Sequence, residues 1–307
     1  MSSKRSSASR RDRPHLLLTG CYGGLGSHLA HRLFDDGWRI DGIDRAQAVR
    51  RPLPRGMKVH RIDLAASANL ASLVARYDGV LHLAGISRVG DAEQRPLDAI
   101  RANILGTANL LESIRLAKRR PWLLFASSLE VKTNARGAYG LTNMYGLTKA
   151  VSELLGQRYA ADYGMVVAAA RIAGIYGNPT DHPDKVPLIF ARRALKGEPI
   201  RVASGQRLMD YIHVDDVTAL LASGMQQLME LRPPAFCVLD VRSARRVGLP
   251  RLARMMRRSA NADVPIISFQ PPLPADCVAR KLKLPAPQVS LEAGFTQLIA
   301  ALRNGHV

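Results

Sequence analysis

A short apolar run, His15-Leu16-Leu17-Leu18-Thr19, leads into Gly20-Cys21-Tyr22-Gly23-Gly24-Leu25-Gly26, and Ser27 to Phe34 then repeats its apolar residues with helical spacing. Strand, glycine loop and helix in that order constrain the fold more than any other segment. Gly20 permits a tight turn, Gly23 lets backbone approach a pyrophosphate, and Gly26 lets the helix pack closely on the strand. A pyrophosphate would lie at the helix N-terminus, where unpaired N–H groups and the helix dipole favour negative charge. Gly20, Tyr22, Gly23, Gly24, Leu25 and Gly26 are therefore candidate dinucleotide contacts.

A second apolar segment, Trp38 to Ile43, ends at Asp44, eighteen residues beyond Gly26. A carboxylate there can accept hydrogen bonds from the adenosine ribose and repels a 2′-phosphate, which favours NAD over NADP. Arg45 pulls the other way, since its guanidinium can hold a 2′-phosphate. Strands are expected near 57–62, 79–83 and 122–126, with helices near 68–76 and within 96–118. Such alternation predicts a doubly wound parallel sheet, whose ligands gather at the carboxyl ends of the strands. Asp63, Leu64, His82 to Gly85, Ser127 and Ser128 fall at those ends.

Tyr145 and Lys149 are four apart, so a helix places them on one face. An ammonium held beside a phenol favours the phenolate, which makes Tyr145 a candidate acid/base. Asp215 and Asp216 precede an apolar-periodic segment and read as helix-start residues.

Composition narrows the setting. A formal charge of +19 raises the question of polyanionic partners. Only nine of the 44 basic residues are lysines and the arginines are dispersed, so no specific nucleic-acid partner is expected. Residues 1–13, Ser-rich and basic, read as a disordered tail. Cys21, Cys237 and Cys277 lack ligand spacing, so no metal site is expected. With no apolar run of membrane-spanning length, a cytoplasmic location without membrane contact is expected.

The Thr19-Gly20-x-x-Gly23-x-x-Gly26 loop, Asp63-Leu64, His82-Leu83-Ala84-Gly85, Asn103-x-x-Gly106-Thr107, Ser127-Ser128 and Tyr145-x-x-x-Lys149 recur here in one order. So do Ala170-Arg171-Ile172-x-x-Ile175-Tyr176-Gly177 and Asp210-Tyr211-Ile212-His213-Val214-Asp215-Asp216-Val217. Together they resemble the extended short-chain dehydrogenases/reductases, the NAD-dependent epimerase/dehydratase family, over about residues 14 to 303. The resemblance implies an enzyme with a Rossmann domain over 14–170 and a smaller α/β substrate domain over 171–307, interleaved with the first. It implies that Ser128 bonds the reacting oxygen, Tyr145 exchanges its proton, and Lys149 lowers the Tyr145 pKa while binding the nicotinamide ribose. Asp63 and Leu64 would flank adenine, and Leu83, Ala84, Gly85 and Asn103 would complete the cofactor groove. Apolar helix faces of such folds pair, so a homodimer is expected.

Members of that family commonly act on nucleotide-linked sugars. In Ser128-Leu129-Glu130 the dehydratase Asp is replaced by Leu129, which demotes dehydration, while Glu130 sits where decarboxylases carry a second catalytic group. Met209 stands where relatives often grip a diphosphate with Arg, and Leu273-Pro274-Ala275-Asp276 replaces Arg-Pro-Gly-Asp. Arg207 and Arg280 are the expected substitutes, and Gly174 takes the place of a substrate-contacting Asn. A nucleotide-sugar epimerase, or a related decarboxylase or reductase, is the leading expectation. The rival is a dehydrogenase or reductase of a smaller hydroxyl or carbonyl compound.

Overall fold

The structure, a computed structural model, describes residues 14–45, 52–67, 69–133, 139–140, 143–179, 181–204 and 208–270. The expected tail at 1–13, Arg207, Arg280 and the Leu273 to Asp276 segment lie outside the described residues.

In chain order the first half runs β1 (His15–Thr19), α1 (Gly24–Asp35), β2 (Arg39–Asp44), β3 (Val59–Arg61), α2 (Ala71–Val74), β4 (Gly79–His82), α3 (Val89–Gln94) and α4 (Pro96–Ala99). A π-helical stretch (Ile100–Leu105) then leads into α5 (Gly106–Leu116), β5 (Trp122–Ser128), β6 (Lys132–Thr133), β7 (Tyr139–Gly140) and α6 (Met144–Tyr163). The second half is β8 (Val166–Ile172), β9 (Gly174–Tyr176), α7 (Val186–Leu195), β10 (Ile200–Ala203), β11 (Leu208–His213), α8 (Val214–Glu230), β12 (Ala235–Val241), β13 (Arg246–Gly248), α9 (Leu249–Ser259) and β14 (Ile266–Phe269).

Seven strands form one wholly parallel sheet in the order β12-β8-β5-β4-β1-β2-β3, the doubly wound architecture expected from the alternation. Both faces are covered, which is why β1 reads as an unbroken apolar run rather than an alternating one. Leu16 and Leu18 enter a core with Leu29 and Leu33 of α1 and Leu221 and Met225 of α8. Leu17 enters the opposite core with Leu110 and Ile114 of α5 and Ala160 of α6. The strand order reverses between β1 and β4, so the crevice above that pair is where a ligand of such a sheet sits.

Two expected elements are shorter than periodicity suggests. β3 pairs only with β2 at the sheet edge and spans 59–61, and α2 covers 71–74. The long helix expected within 96–118 is continuous through 116, with the π-helical turn inside it. Asp215 and Asp216 do lie in the first turn of α8, capped by the His213 side chain, which accepts from the Asp215 N–H.

Beyond β8 the chain leaves the sheet and returns to it. β12 pairs with β8 along its whole length and α8 packs beside it. Between these returns, β9, β11 and β13 form a three-stranded sheet, while β10 pairs with β14 over a small core that includes Phe190 of α7 and Ala253 of α9.

Candidate active site

The glycine loop and the β4 loop meet above the switch point. Gly20 adopts φ +71°, and a Cβ there would lie 2.7 Å from the Ala84 nitrogen. A Cβ on Gly26 would lie 2.0 Å from the Gly20 carbonyl oxygen, so the start of α1 can sit this close only without side chains. Asp44 reaches back from the end of β2 and accepts a hydrogen bond from the Tyr22 N–H at 2.9 Å. The first turn of α1 carries no acidic residue of its own, but the Asp181 carboxylate approaches its positive end from the segment before α7.

A cavity of about 780 Å³ opens from this loop and follows the strand ends. All the loop candidates, Gly20, Tyr22, Gly23, Gly24, Leu25 and Gly26, line it. So do Asp44 and Arg45, Asp63 and Leu64, and Leu83, Ala84 and Gly85. Ser128, Glu130, Tyr145, Lys149 and Gly174 line its continuation. The sheet thus gathers into one groove residues that are scattered through the first 174 positions of the chain.

Asn103, expected among the cofactor contacts, is not on the cavity wall. The π-helical turn directs it inward, where its Oδ1 accepts from the Ile86 N–H at 2.8 Å and its Nδ2 donates to the Ile86 carbonyl and to Thr148 Oγ1. It therefore clamps the loop after β4 onto α6. Oδ1 would lie 2.5 Å from a Cβ on Gly85, so no side chain fits between the two.

His82 braces the same region. Thr107 Oγ1 donates to the Asn103 carbonyl and so must accept from His82 Nε2, which leaves Nδ1 to accept from Thr19. Thr19 Oγ1 in turn accepts from the Ala84 N–H at 3.2 Å. Complete burial, with the Lys149 charge adding to it, lowers the His82 pKa to about 3 and keeps the ring neutral.

α6 begins at Asn143, whose side chain accepts from the Gly146 N–H at 2.7 Å and donates to Glu130 Oε2 at 2.9 Å. One residue thus caps the helix and fixes a carboxylate of the strand-end turn. The turn itself is closed by Ser128 Oγ, which accepts from the Glu130 N–H at 3.1 Å. Tyr145 and Lys149 follow in the first turns of α6, both buried. The Tyr145 hydroxyl bonds to Ser128, which lowers its pKa, but burial dominates and, with the Glu130 charge, pushes the phenol up to about 12. Burial also pulls the Lys149 ammonium down to about 8. The Lys149 nitrogen lies 5.9 Å from the Tyr145 ring centroid. In the protein alone, burial is the dominant influence on both groups, raising the Tyr145 phenol and lowering the Lys149 ammonium.

Residues 16–235 match the NAD dependent epimerase/dehydratase family. The chain belongs to that family. UDP-glucuronate 4-epimerase 1 of Arabidopsis thaliana is 30% identical over 233 residues, 66% of this chain and 52% of that protein. The chain thus spans about half the length of the curated UDP-glucuronate 4-epimerases it matches. Among solved structures, MoeE5 in complex with UDP-glucose and NAD is 28% identical, with a TM-score of 0.71 over 83% of this chain and 85% of that one. The Thermus thermophilus UDP-glucose 4-epimerase complex with NAD shares the fold at 23% identity, with a TM-score of 0.72 over 84% and 87%.

Sequence reasoning missed one wall of this family member's cavity. Arg88, Asp181, His182 and Lys185 line it from the loop after β4 and from the segment before α7. Asn178 Nδ2 donates to the Gly24 carbonyl at 2.9 Å, and Asp181 lies where a Cβ on Gly24 would meet its Oδ1 at 2.9 Å. No local pattern marks these contacts, which join positions some 154 residues apart. Gly174 is likewise explained by packing: a Cβ would meet the Tyr211 ring at 2.9 Å, leaving no room for an Asn there.

Proposed function

We propose that this chain is an NAD-dependent nucleotide-sugar epimerase acting by transient hydride transfer at Ser128, Tyr145 and Lys149. The observation that carries the reading is the buried Ser128–Tyr145 hydrogen bond beside Lys149, opening into the groove that starts at the glycine loop. The cradle fits a dinucleotide: Gly20, Gly23 and Gly26 leave the α1 N-terminus open to a pyrophosphate, and Asp44 stands where the adenosine ribose would lie. Asp44 favours NAD over NADP. NAD supplies the hydride acceptor and donor.

The chain's own residues then manage one proton. Tyr145 must enter the cycle as the phenolate, a form that a positive nicotinamide ring bound beside Lys149 would favour. Tyr145 Oη then takes the proton from a sugar hydroxyl as hydride leaves the carbon, and returns it after the sugar has presented its other face. Ser128 Oγ orients the reacting oxygen toward Tyr145. Lys149, protonated, offsets the Tyr145 phenolate charge before the sugar's proton arrives and again after it is returned. Glu130, held by Asn143, stands ready as a second acid/base group. Leu129, beside it, supplies no acid of the kind elimination needs.

The same reading divides the chain into a dinucleotide domain, 14–170, and a substrate domain from 171 onward that lends β12 to the first domain's sheet. A homodimer is proposed on the apolar outer faces of α5 and α6, where Leu116, Leu147 and Leu154 are exposed. Among the described residues no helix is long and apolar enough to cross a membrane, and a cytoplasmic location is part of the proposal.

Calorimetry with NAD, UDP, GDP and dTDP, followed by assay of UDP-glucose and UDP-glucuronate for 4-epimerisation without net reduction of NAD, tests the function. Absence of nucleoside-diphosphate binding together with net NAD reduction by a free sugar or alcohol would establish the rival dehydrogenase instead.

A further inference from the structure

The far half of the cavity, walled by β9, β11 and β13, presents Met209 rather than a cation from β11, and Leu208 beside it is apolar. Its charged lining on those strands is Asp210 and Arg246. They are direct partners in the antiparallel β11–β13 register, so their side chains share one face of the strand pair.

The other cations of this wall already have anionic partners. Arg88 donates to Asp184 at 2.8 Å and pairs with Asp91 at 3.4 Å. Lys185 pairs with Asp181 at 2.5 Å. Lys149 is buried beside Tyr145, and Arg45 lies at the opposite, adenosine end. Arg246 makes no ion pair with any described residue and is solvent-exposed, so among the described residues no carboxylate competes with an anion for it.

Asp210 adds a second requirement. Its Oδ1 accepts from the Ser243 N–H at 3.1 Å and from Ser243 Oγ at 2.9 Å. Its Oδ2 is buried without a hydrogen-bond partner among the described residues. A buried acceptor left unmatched is costly, so this wall is built to receive a donor as well as an anion. Phosphates flanked by hydroxyls or ring N–H groups, as in a nucleoside diphosphate, satisfy both.

We propose that Arg246, across the strand pair from Asp210, is the diphosphate-gripping and specificity-determining residue of this chain, supplying from β13 the cation that Met209 does not supply from β11. The inference rests on the nucleotide-sugar reading and adds to it the residue that holds the nucleotide. A guanidinium on phosphate is a bidentate, charge-assisted contact that an ammonium replaces only in part.

The test is calorimetry of the full chain with UDP, GDP, dTDP and NAD, comparing wild type with Arg246→Ala, Arg246→Lys and Arg245→Ala. Arg245 neighbours Arg246 but does not line the cavity, so it controls for the general pull of a +19 chain on anions. For the nucleoside diphosphate that wild type binds best, affinity should drop about tenfold to a hundredfold in Arg246→Ala. Arg246→Lys should recover part of the loss, Arg245→Ala should match wild type, and all variants should keep NAD affinity, which also reports that they are folded. Unchanged binding in Arg246→Ala, or an equal loss in Arg245→Ala, overturns the assignment while the epimerase reading stands. Failure of wild type to bind any of the three nucleotides removes both.

Discussion

Asn143 joins the two halves of the proton-transfer site: its Oδ1 accepts from the Gly146 N–H at 2.7 Å while its Nδ2 donates to Glu130 Oε2 at 2.9 Å. Gly146 is the residue that permits this closeness, since a Cβ there would lie 3.0 Å from the Glu130 carbonyl oxygen. The start of α6, and with it Tyr145, is thereby docked on the turn that follows β5. Asn143→Ala removes the cap and releases Glu130 together. Loss of an N-cap costs about 1 kcal/mol, which should appear as a lower thermal midpoint, and the release of Glu130 should lower kcat as well. A variant with a wild-type melting profile would show that the cap is not holding the helix.

Tyr145 is predicted to be essential for hydride transfer and dispensable for NAD affinity. Its phenol is pushed up to about 12 by burial, so in the protein alone it holds its proton at neutral pH. Tyr145→Phe removes one hydroxyl from a buried site and leaves the glycine cradle intact. The expected outcome is a fall in kcat of roughly 10²- to 10⁴-fold, the usual worth of a positioned acid/base group, with an NAD dissociation constant within about twofold of wild type. Turnover at the wild-type rate would displace Tyr145 from its proposed role.

What was legible in the sequence follows from how local each signal is. Gly20, Gly23 and Gly26 sit within one strand–turn–helix, so their spacing alone locates the cradle. Ser128 is legible as the end of an apolar strand, and Tyr145 and Lys149 as one face of a helix. Arg246 was not legible: β13 is three residues long, and its importance comes from its register against Asp210, 36 residues earlier in the chain. Asp181 and Asn178 reach the glycine loop only through the tertiary path of the second half. Asn103 carries a family motif, and its amide bonds Ile86 and Thr148, joining the loop after β4 to α6 through contacts that no local pattern marks.

His82 gives the fold a definite acid sensitivity. In the unfolded chain its pKa returns to 6.5, whereas in the fold it is about 3, so between those values the unfolded state binds a proton that the native state refuses. Stability is therefore full above pH 6.5 and declines as pH falls toward 3, by at most about 1.4 kcal/mol per unit from this group. His82→Gln, which cannot titrate, should flatten the part of the stability slope between about pH 6.5 and 4.5. Denaturant midpoints measured across that range in both proteins check it, and identical slopes would assign the acid sensitivity elsewhere.

Gly20 should tolerate no side chain. Its φ of +71° is unfavourable for an L-residue, and the added methyl would press on the Ala84 nitrogen, which is backbone and part of the Thr19–His82 network. Gly20→Ala is expected to lower stability by about 1–3 kcal/mol through backbone strain and to weaken NAD binding, because the β4 loop must move away from the cradle. Differential scanning calorimetry with and without NAD separates the two effects. Retention of both the wild-type midpoint and the NAD-induced shift would show that the loops part without cost.

Asp181 is placed to oppose the cofactor it overlooks. Its carboxylate lies against Gly24 at the positive end of α1, the place where a pyrophosphate would rest, and Lys185 at 2.5 Å offsets only part of its charge. Replacing it with the isosteric neutral amide keeps an acceptor for the His182 N–H, which bonds Asp181 Oδ1 at 2.7 Å, and leaves Lys185 free to face the phosphates. Asp181→Asn is therefore expected to tighten NAD binding several-fold at low salt, with most of the gain kept as ionic strength rises because a largely buried charge is screened far less than an exposed one. Calorimetric titrations at two salt concentrations decide the matter. Weaker binding in the variant at both would mean that the Asp181 charge serves to order the segment before α7, and that this ordering outweighs its repulsion of the phosphates.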